Sequence, residues 1–373
     1  MAPFLIKKIS FLKLDLTLVM TLVFLICFGL AAIYSVALGQ GRGEFLNFQK
    51  QLIWLGVGLM VMIALSNFDY HRLNRFGWVF YAVGIILLVL VLTPLGSVVK
   101  GSRGWFNFGF FSFQPVELMK IILIIVLSGV CSMYARTAHK LRQLFLIGLI
   151  VLLPLGLVML QPDFGSGMVL FCTWLTSFFL VAKKKWHIFL LLGLIVVTLA
   201  MSWMFVFQPY QKDRIMTFLD PSLDPAGSGY NVNQSIIAVG AGRFTGRGLG
   251  FGSQSQLKFI PESQTDFIFS VIAEEWGFIG MFFIVGFYVI IFYRLYKIAI
   301  TAQDDFGMFF TLLVSSLLFV HVFINIGMCV GLLPVTGISL PFVSYGGSFL
   351  VTMLVLMGIV LNINRSNAIS RQY

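Results

Sequence analysis

The feature that most constrains this chain is a series of long apolar runs that contain no Asp, Glu, Lys or Arg. They cover residues 16–41, 51–68, 76–99, 121–135, 143–162, 164–182, 186–211, 276–293 and 306–364. A helix that spans a bilayer needs roughly 17 to 25 such residues. Each run reaches or approaches that length except 121–135, which does so only by taking in Glu117 and Lys120. The last run is interrupted by Pro334 and Pro341 and must hold two spans and a connection, because proline breaks a helix interior. The expectation is an all-α polytopic membrane protein of about ten transmembrane helices, one integral membrane domain over 1–373. Ten is even, which places both termini on one side.

Charge composition excludes the main alternatives. Only 10% of the residues are charged, against roughly 25% in a soluble domain, too few to cover a water-facing globule. The net charge of +11 is carried in small groups between apolar runs. A nucleic-acid protein needs a dense basic face, so no nucleic-acid partner is expected and the membrane surface is. With the N-terminus inside, the inner segments hold fifteen Lys and Arg, including Lys7, Lys8, Lys13, Arg294 and Arg365, against nine on the outer segments. The positive-inside rule then puts both termini in the cytoplasm. Most acids fall outside or within spans, so the chemistry is expected on the outer face. Lys7, Lys8 and Lys13 precede a run too long for a secretion signal and without a small-residue cleavage site, which reads as an uncleaved first span. Cys27, Cys131, Cys172 and Cys329 all lie in apolar runs and form no metal-ligand spacing.

Two outer segments stand apart. The stretch from about 208 to 265, between helices 7 and 8, is long, polar and rich in Gly and Pro, and long irregular segments are usually functional or disordered. The segment 95–115 carries Lys100, Arg103 and Trp105 among several Phe, which suits a partly re-entrant interfacial stretch.

Ionisable residues inside spans are costly and therefore functional candidates. Glu117 and Lys120, three apart on one helix face, can neutralise each other. A structural ion pair and the wall of a polar cavity are both open readings. Asp163, in Gln161-Pro162-Asp163, lies where two spans meet, as a helix cap or a functional acid. The densest cluster is Pro261-Glu262-Ser263-Gln264-Thr265-Asp266, followed by Glu274 and Glu275. Asp266 marks the entry of the outer loop into the membrane. On a continuous helix it would lie about 80° from Glu274, on one broad face. Desolvation beside Phe267 and Phe269 would raise its pKa towards that of a general base, and an N-cap is the alternative. Gly240 to Gly250, with Arg243 and Arg247, has the glycines and guanidinium groups of a phosphate cradle or of an ordinary flexible loop. Arg103 and Arg214 are further outer cations. His321, in an apolar run, is expected to be packed and hydrogen-bonded.

Taken in order, these motifs resemble the SEDS family (shape, elongation, division and sporulation) over nearly the whole chain, most closely its RodA branch. The resemblance rests on Phe113-Gln114-Pro115 with Glu117 and Lys120, on Gln161-Pro162-Asp163, and on Arg214 with Asp220-Pro221 and Asp224-Pro225. It continues through Gln254-Ser255-Gln256-Leu257, Pro261-Glu262 with Thr265-Asp266-Phe267, Asn325-Ile326-Gly327-Met328, Leu333-Pro334-Val335-Thr336-Gly337 and Ser344-Tyr345-Gly346-Gly347-Ser348. Val116 stands where the family pattern has Ser.

What the resemblance implies is a glycosyltransferase that polymerises lipid II on the outer face of the cytoplasmic membrane. Its implied partners are a class B penicillin-binding protein and other membrane proteins of wall elongation. Asp266 matches the family's catalytic Asp. Glu117, Lys120, Asp163, Arg103, Arg214, Arg243, Glu262 and Ser344 are the substrate-binding or supporting candidates. No cofactor is required by the motifs, and a divalent cation, magnesium or manganese, is left open. A lipid II flippase or transporter is the alternative, since transporters also carry intramembrane charges, and a scaffold that only binds its partner is a third reading.

Overall fold

The computed structural model describes residues 15–40, 42–99, 101–109, 111–134, 141–182, 184–201, 204, 212–213, 216–218, 220 and 227–370. Among them, nine helices are long and apolar enough to cross a membrane. These are α1 (Leu16–Gln40), α2 (Arg42–Ser66), α3 (His71–Leu92), α4 (Pro115–Tyr134), α5 (Leu141–Leu160), α6 (Phe164–Val181), α10 (Ile268–Ile300), α11 (Asp305–Cys329) and α12 (Gly347–Ser370). A further helix, α7 (Lys185–Met201), begins the expected run 186–211 and leads into residues that lie largely outside the described set. Two shorter helices, α8 (Ser228–Ala241) and α9 (Ser253–Gln256), belong to the long segment before α10. The final apolar run divides into α11 and α12 joined by 330–346, as its two prolines require.

One departure from the all-helical expectation lies between α3 and α4. Instead of a re-entrant stretch, three short antiparallel strands form: β1 (Ser97–Val99), β2 (Ser102–Asn107) and β3 (Ser112–Phe113). The sheet rests on the helix ends. Ser102 Oγ donates to the carbonyl of Gln161 at 2.6 Å, and Trp54 of α2 meets the Phe111 ring edge-on.

Where both the solvent and the core are apolar, helices associate through close packing and internal polar contacts rather than through water exclusion. Helix α4 is the centre, with 83% of its span buried. It can approach α3 because Gly84 stands opposite Met119, where a β-carbon would fall 2.7 Å from Sδ. Helices α1 and α10 are joined at one end by Asp15, whose Oδ1 accepts the Leu18 amide while Oδ2 accepts Arg294 Nε at 2.8 Å and Nη2 at 2.5 Å.

Helix α10 is not continuous. Gly277 has φ +64° and ψ −157°, a conformation open essentially to glycine. The chain around 242–250 fills the break: Phe278 and Ile279 donate their amides to the carbonyls of Arg243 and Phe244, and Arg247 and Gly248 donate theirs to Glu274 and Glu275.

Candidate active site

The residues 261–267 form irregular turns that end at α10. The N-cap of that helix is Phe267, with no side-chain cap bond. Asp266 therefore stands one residue before the cap position, half-buried in the turn. The connection 330–346 packs directly against it. Ser344 Oγ donates to the carbonyl of Thr265 at 2.6 Å and accepts the Leu340 amide at 2.8 Å. The Tyr345 amide donates to the carbonyl of Gln264 at 2.8 Å. From α2, Gln51 grips the same connection, giving an N–H to the carbonyl of Ser344 at 3.2 Å and accepting the Gly346 amide at 3.1 Å. Gly337, at φ +73°, lies beside the acid: a β-carbon there would be 3.7 Å from Asp266 Oδ2. Two non-glycine residues that flank this region, Glu262 at φ +55° and Phe342 at φ +66°, adopt a strained backbone conformation, a feature that clusters at functional sites.

Asp163 joins the same wall. Its Oδ1 accepts the Ser166 amide at 3.0 Å, so it does cap α6, and its Oδ2 accepts Gln114 Nε2 at 3.1 Å. Gly165, two residues on, faces the carbonyl of Thr336, next to Gly337. Glu262 lies in the turn that presents Asp266 and accepts the Thr265 hydroxyl at 3.0 Å.

Glu117 and Lys120 form an ion pair of 2.7 Å, almost wholly buried in α4. The Lys120 ammonium is 5.7 Å from the centre of the Phe349 ring, and His321 packs on that ring at 5.0 Å while bonding through Nδ1 to the carbonyl of Ser339 at 3.2 Å. His321 is packed and hydrogen-bonded, as expected for an apolar run. Through Phe349 and His321 the buried pair reaches the connection that flanks Asp266.

The glycine segment is arranged otherwise than a phosphate cradle requires. The amides of Gly246, Arg247, Gly248 and Gly250 are already donated, to Gly242, to Glu274 and Glu275, and to Ser35 Oγ with Glu275 Oε1. They clamp the break in α10 and are not free for an anion. The Arg243 side chain is exposed on this clamp, and Arg247 Nη1 donates to Ser253 Oγ at 2.9 Å. Glu274 likewise departs from the expected shared face with Asp266, because Asp266 precedes the helix. Its carboxylate accepts the amides of Gln254 at 2.9 Å and Ser255 at 3.0 Å. Arg103, on β2, is exposed with Nη1 3.5 Å from the carbonyl of Leu92. Arg214 and the prolines of Asp220-Pro221 and Asp224-Pro225 lie outside the described residues.

Gln51, Gln114 and Asn325 are not among the site residues expected from the sequence, although Gln114 and Asn325 lie in motifs that carry the family resemblance; Gln51 shows only an amide at the edge of an apolar run. Asn325, fully buried on α11, donates through Nδ2 to the carbonyl of Asp266 at 2.7 Å and to that of Ile338 at 2.8 Å. An apolar groove of about 1000 Å³ on α3, α4 and α5, lined by Trp78, Tyr81, Leu149 and Leu153 among others, has no carboxylate, lysine, arginine or histidine in its wall. It offers no carboxylate or basic side chain to act as a general base and does not compete with Asp266.

Comparison with known proteins identifies the family. The model of the cell cycle protein family of FtsW, RodA and SpoVE matches residues 15–369. Stage V sporulation protein E of Bacillus subtilis is 38% identical over 359 residues, covering 94% of this chain and 97% of that protein. Peptidoglycan glycosyltransferase MrdB of Escherichia coli is 36% identical, covering 94% and 93%. Among solved structures, a chain from a peptidoglycan synthase complex that coordinates polymerization and crosslinking aligns with a TM-score of 0.82 and 30% identity, over 95% of this chain and 99% of that one. The rod shape determining protein RodA of Thermus thermophilus aligns with a TM-score of 0.70 and 28% identity, over 96% and 98%. The chain is a multi-pass membrane protein that belongs to the SEDS family of FtsW, RodA and SpoVE.

Proposed function

We infer that this protein is a peptidoglycan glycosyltransferase that polymerises lipid II, with Asp266 as its general base. The observation that carries the reading is the placement of Asp266: a half-buried acid where the long loop meets the membrane, with its own carbonyl held by Asn325 of α11, the preceding Thr265 carbonyl held by Ser344, and a glycine facing its carboxylate. The reaction is the one that the likeness to the family implies, with Asp266 as its base. The carboxylate takes the proton from the 4-hydroxyl of an acceptor GlcNAc. The hydroxyl oxygen attacks C1 of the donor MurNAc with inversion, and the C1–O bond to undecaprenyl pyrophosphate breaks, the leaving group keeping the electron pair. General-base assistance of this kind is worth about 10² to 10⁴ in rate.

The pyrophosphate needs cations that meet its charge. Arg103, Arg243 and Arg214 are the outer candidates, with Asp163, Glu262, Ser344, Glu117 and Lys120 as further substrate-binding or supporting residues. Among the described residues no group of three His, Cys, Asp or Glu side chains gathers around a common point. No step is therefore assigned to magnesium or manganese. Both termini are cytoplasmic and Asp266 faces outward in this reading, which the Lys and Arg asymmetry supports. The partner is a class B penicillin-binding protein. Support comes from the likeness to a chain of a peptidoglycan synthase complex. The role in elongation rather than division rests on the RodA-like motifs.

Reconstitution of the purified protein with its partner in liposomes carrying lipid II tests the reading. Glycan polymer is the expected product. Movement of lipid II between leaflets without polymer would make the protein a flippase and overturn it.

A further inference from the structure

We propose that Asn325 is a positioning residue that sets the catalytic carboxylate. The inference rests on the reading of Asp266 as the base. Asn325 cannot touch substrate, because it is fully buried on α11. What it does touch is specific. Its single NH2 group uses one hydrogen on the carbonyl of Asp266 itself, at 2.7 Å, and the other on the carbonyl of Ile338, at 2.8 Å. Ile338 follows Gly337, the residue that faces Asp266 Oδ2. One amide thus ties together the two backbone segments between which the carboxylate lies.

The tie is hard to replace. No other amino acid of this size offers two donors from one nitrogen, and an aspartate in the same place would present oxygens to two carbonyl oxygens. One helical turn earlier, His321 bonds to the carbonyl of Ser339, so α11 holds the connection at 338 and 339 from one face. Ser344 ties the opposite end to Thr265, one residue before the acid. Loss of Asn325 would let the acid and its facing glycine separate while the rest of the fold stays held. A displacement near 1 Å in a reacting group costs about 10²-fold in rate.

The experiment uses the full-length protein with its partner in lipid II liposomes, comparing wild type, Asn325→Asp, Asn325→Ser and a control, Ser316→Ala. The control removes a half-buried hydrogen bond of the same helix, between Ser316 and Thr176 at 2.6 Å, away from the acid. Wild-type polymerisation must first be seen; its absence counts against the proposed function and not against Asn325. Given wild-type activity, both Asn325 variants are expected to lose about 10²-fold in kcat with KM changed less than about threefold, while Ser316→Ala keeps its kcat and shows a similar drop in Tm. Wild-type kcat in Asn325→Asp, or losses that only follow the folded fraction, would overturn the proposal. If neither Asn325 variant accumulates folded, Ser344→Ala frees the same two segments and must show the same split between kcat and KM; normal kcat there overturns it equally.

Discussion

Gly337 lies directly against Asp266: a β-carbon at 337 would stand 3.7 Å from Oδ2 of the acid, and the glycine holds φ +73°. The site is thus built from a carboxylate and a residue without a side chain, brought together from segments 71 positions apart in sequence. Substitution by valine adds roughly 1 to 3 kcal/mol of backbone strain and fills the space beside the acid. Gly337→Val is expected to lower polymer yield at least tenfold in protein that still elutes as a folded species. Wild-type yield would show that the space is not used.

The buried pair gives a second expectation. Glu117 accepts Lys120 at 2.7 Å, and its other oxygen finds no partner among the described residues. Lys120→Ala would strand a carboxylate in the bundle and cost about 3 to 5 kcal/mol, whereas Glu117→Leu with Lys120→Leu should fold better than either single change. Thermal unfolding in detergent reads both. Restored folding without restored polymerisation would mark the pair as part of the site's wall, and equal stability of all the variants would remove it from the account.

The clamp at the broken helix is the third. A β-carbon at Gly277 would fall 2.3 Å from the Gly246 amide nitrogen. Gly277→Ala should therefore detach the 242–250 segment and expose it to protease, with little folded protein recovered. Glu274→Gln keeps an acceptor for the amides of Gln254 and Ser255 and should be far milder. Equal protease resistance of Gly277→Ala and wild type would contradict the clamp.

Topology is open to a direct check. Leu257 is 65% exposed on the segment assigned to the outer face. In a Cys27→Ser background, Leu257→Cys is expected to react with a membrane-impermeant thiol reagent on spheroplasts. Labelling only after permeabilisation would invert the orientation.

Much of this was legible in the sequence where the physics is local. Pro334 and Pro341 divided the last run, the cap was one of the two readings open for Asp163, three residues before the Ser166 amide, and Glu117 with Lys120 read as a pair because three residues make one helix face. Asp266 stood out by its place where polar chain turns apolar. What stayed hidden depends on contacts between distant segments. Strands of two to six residues carry too short a pattern to mark the sheet at 97–113. A positive φ at Gly277 leaves no trace in composition, so the glycines from 240 to 250 read as a flexible loop or a cradle and not as a clamp. Asn325 acquires its role only once α11, Asp266 and Ile338 are packed together.

The central claim is that Asp266 accepts a proton as the glycosidic bond forms, and Asp266→Asn tests it most directly, since it keeps size and polarity and removes basicity. Measured in lipid II liposomes with the partner present, the variant is expected to fold and bind its partner as wild type does while polymerisation falls by about 10² to 10⁴. Polymerisation by Asp266→Asn at the wild-type rate would contradict the assignment.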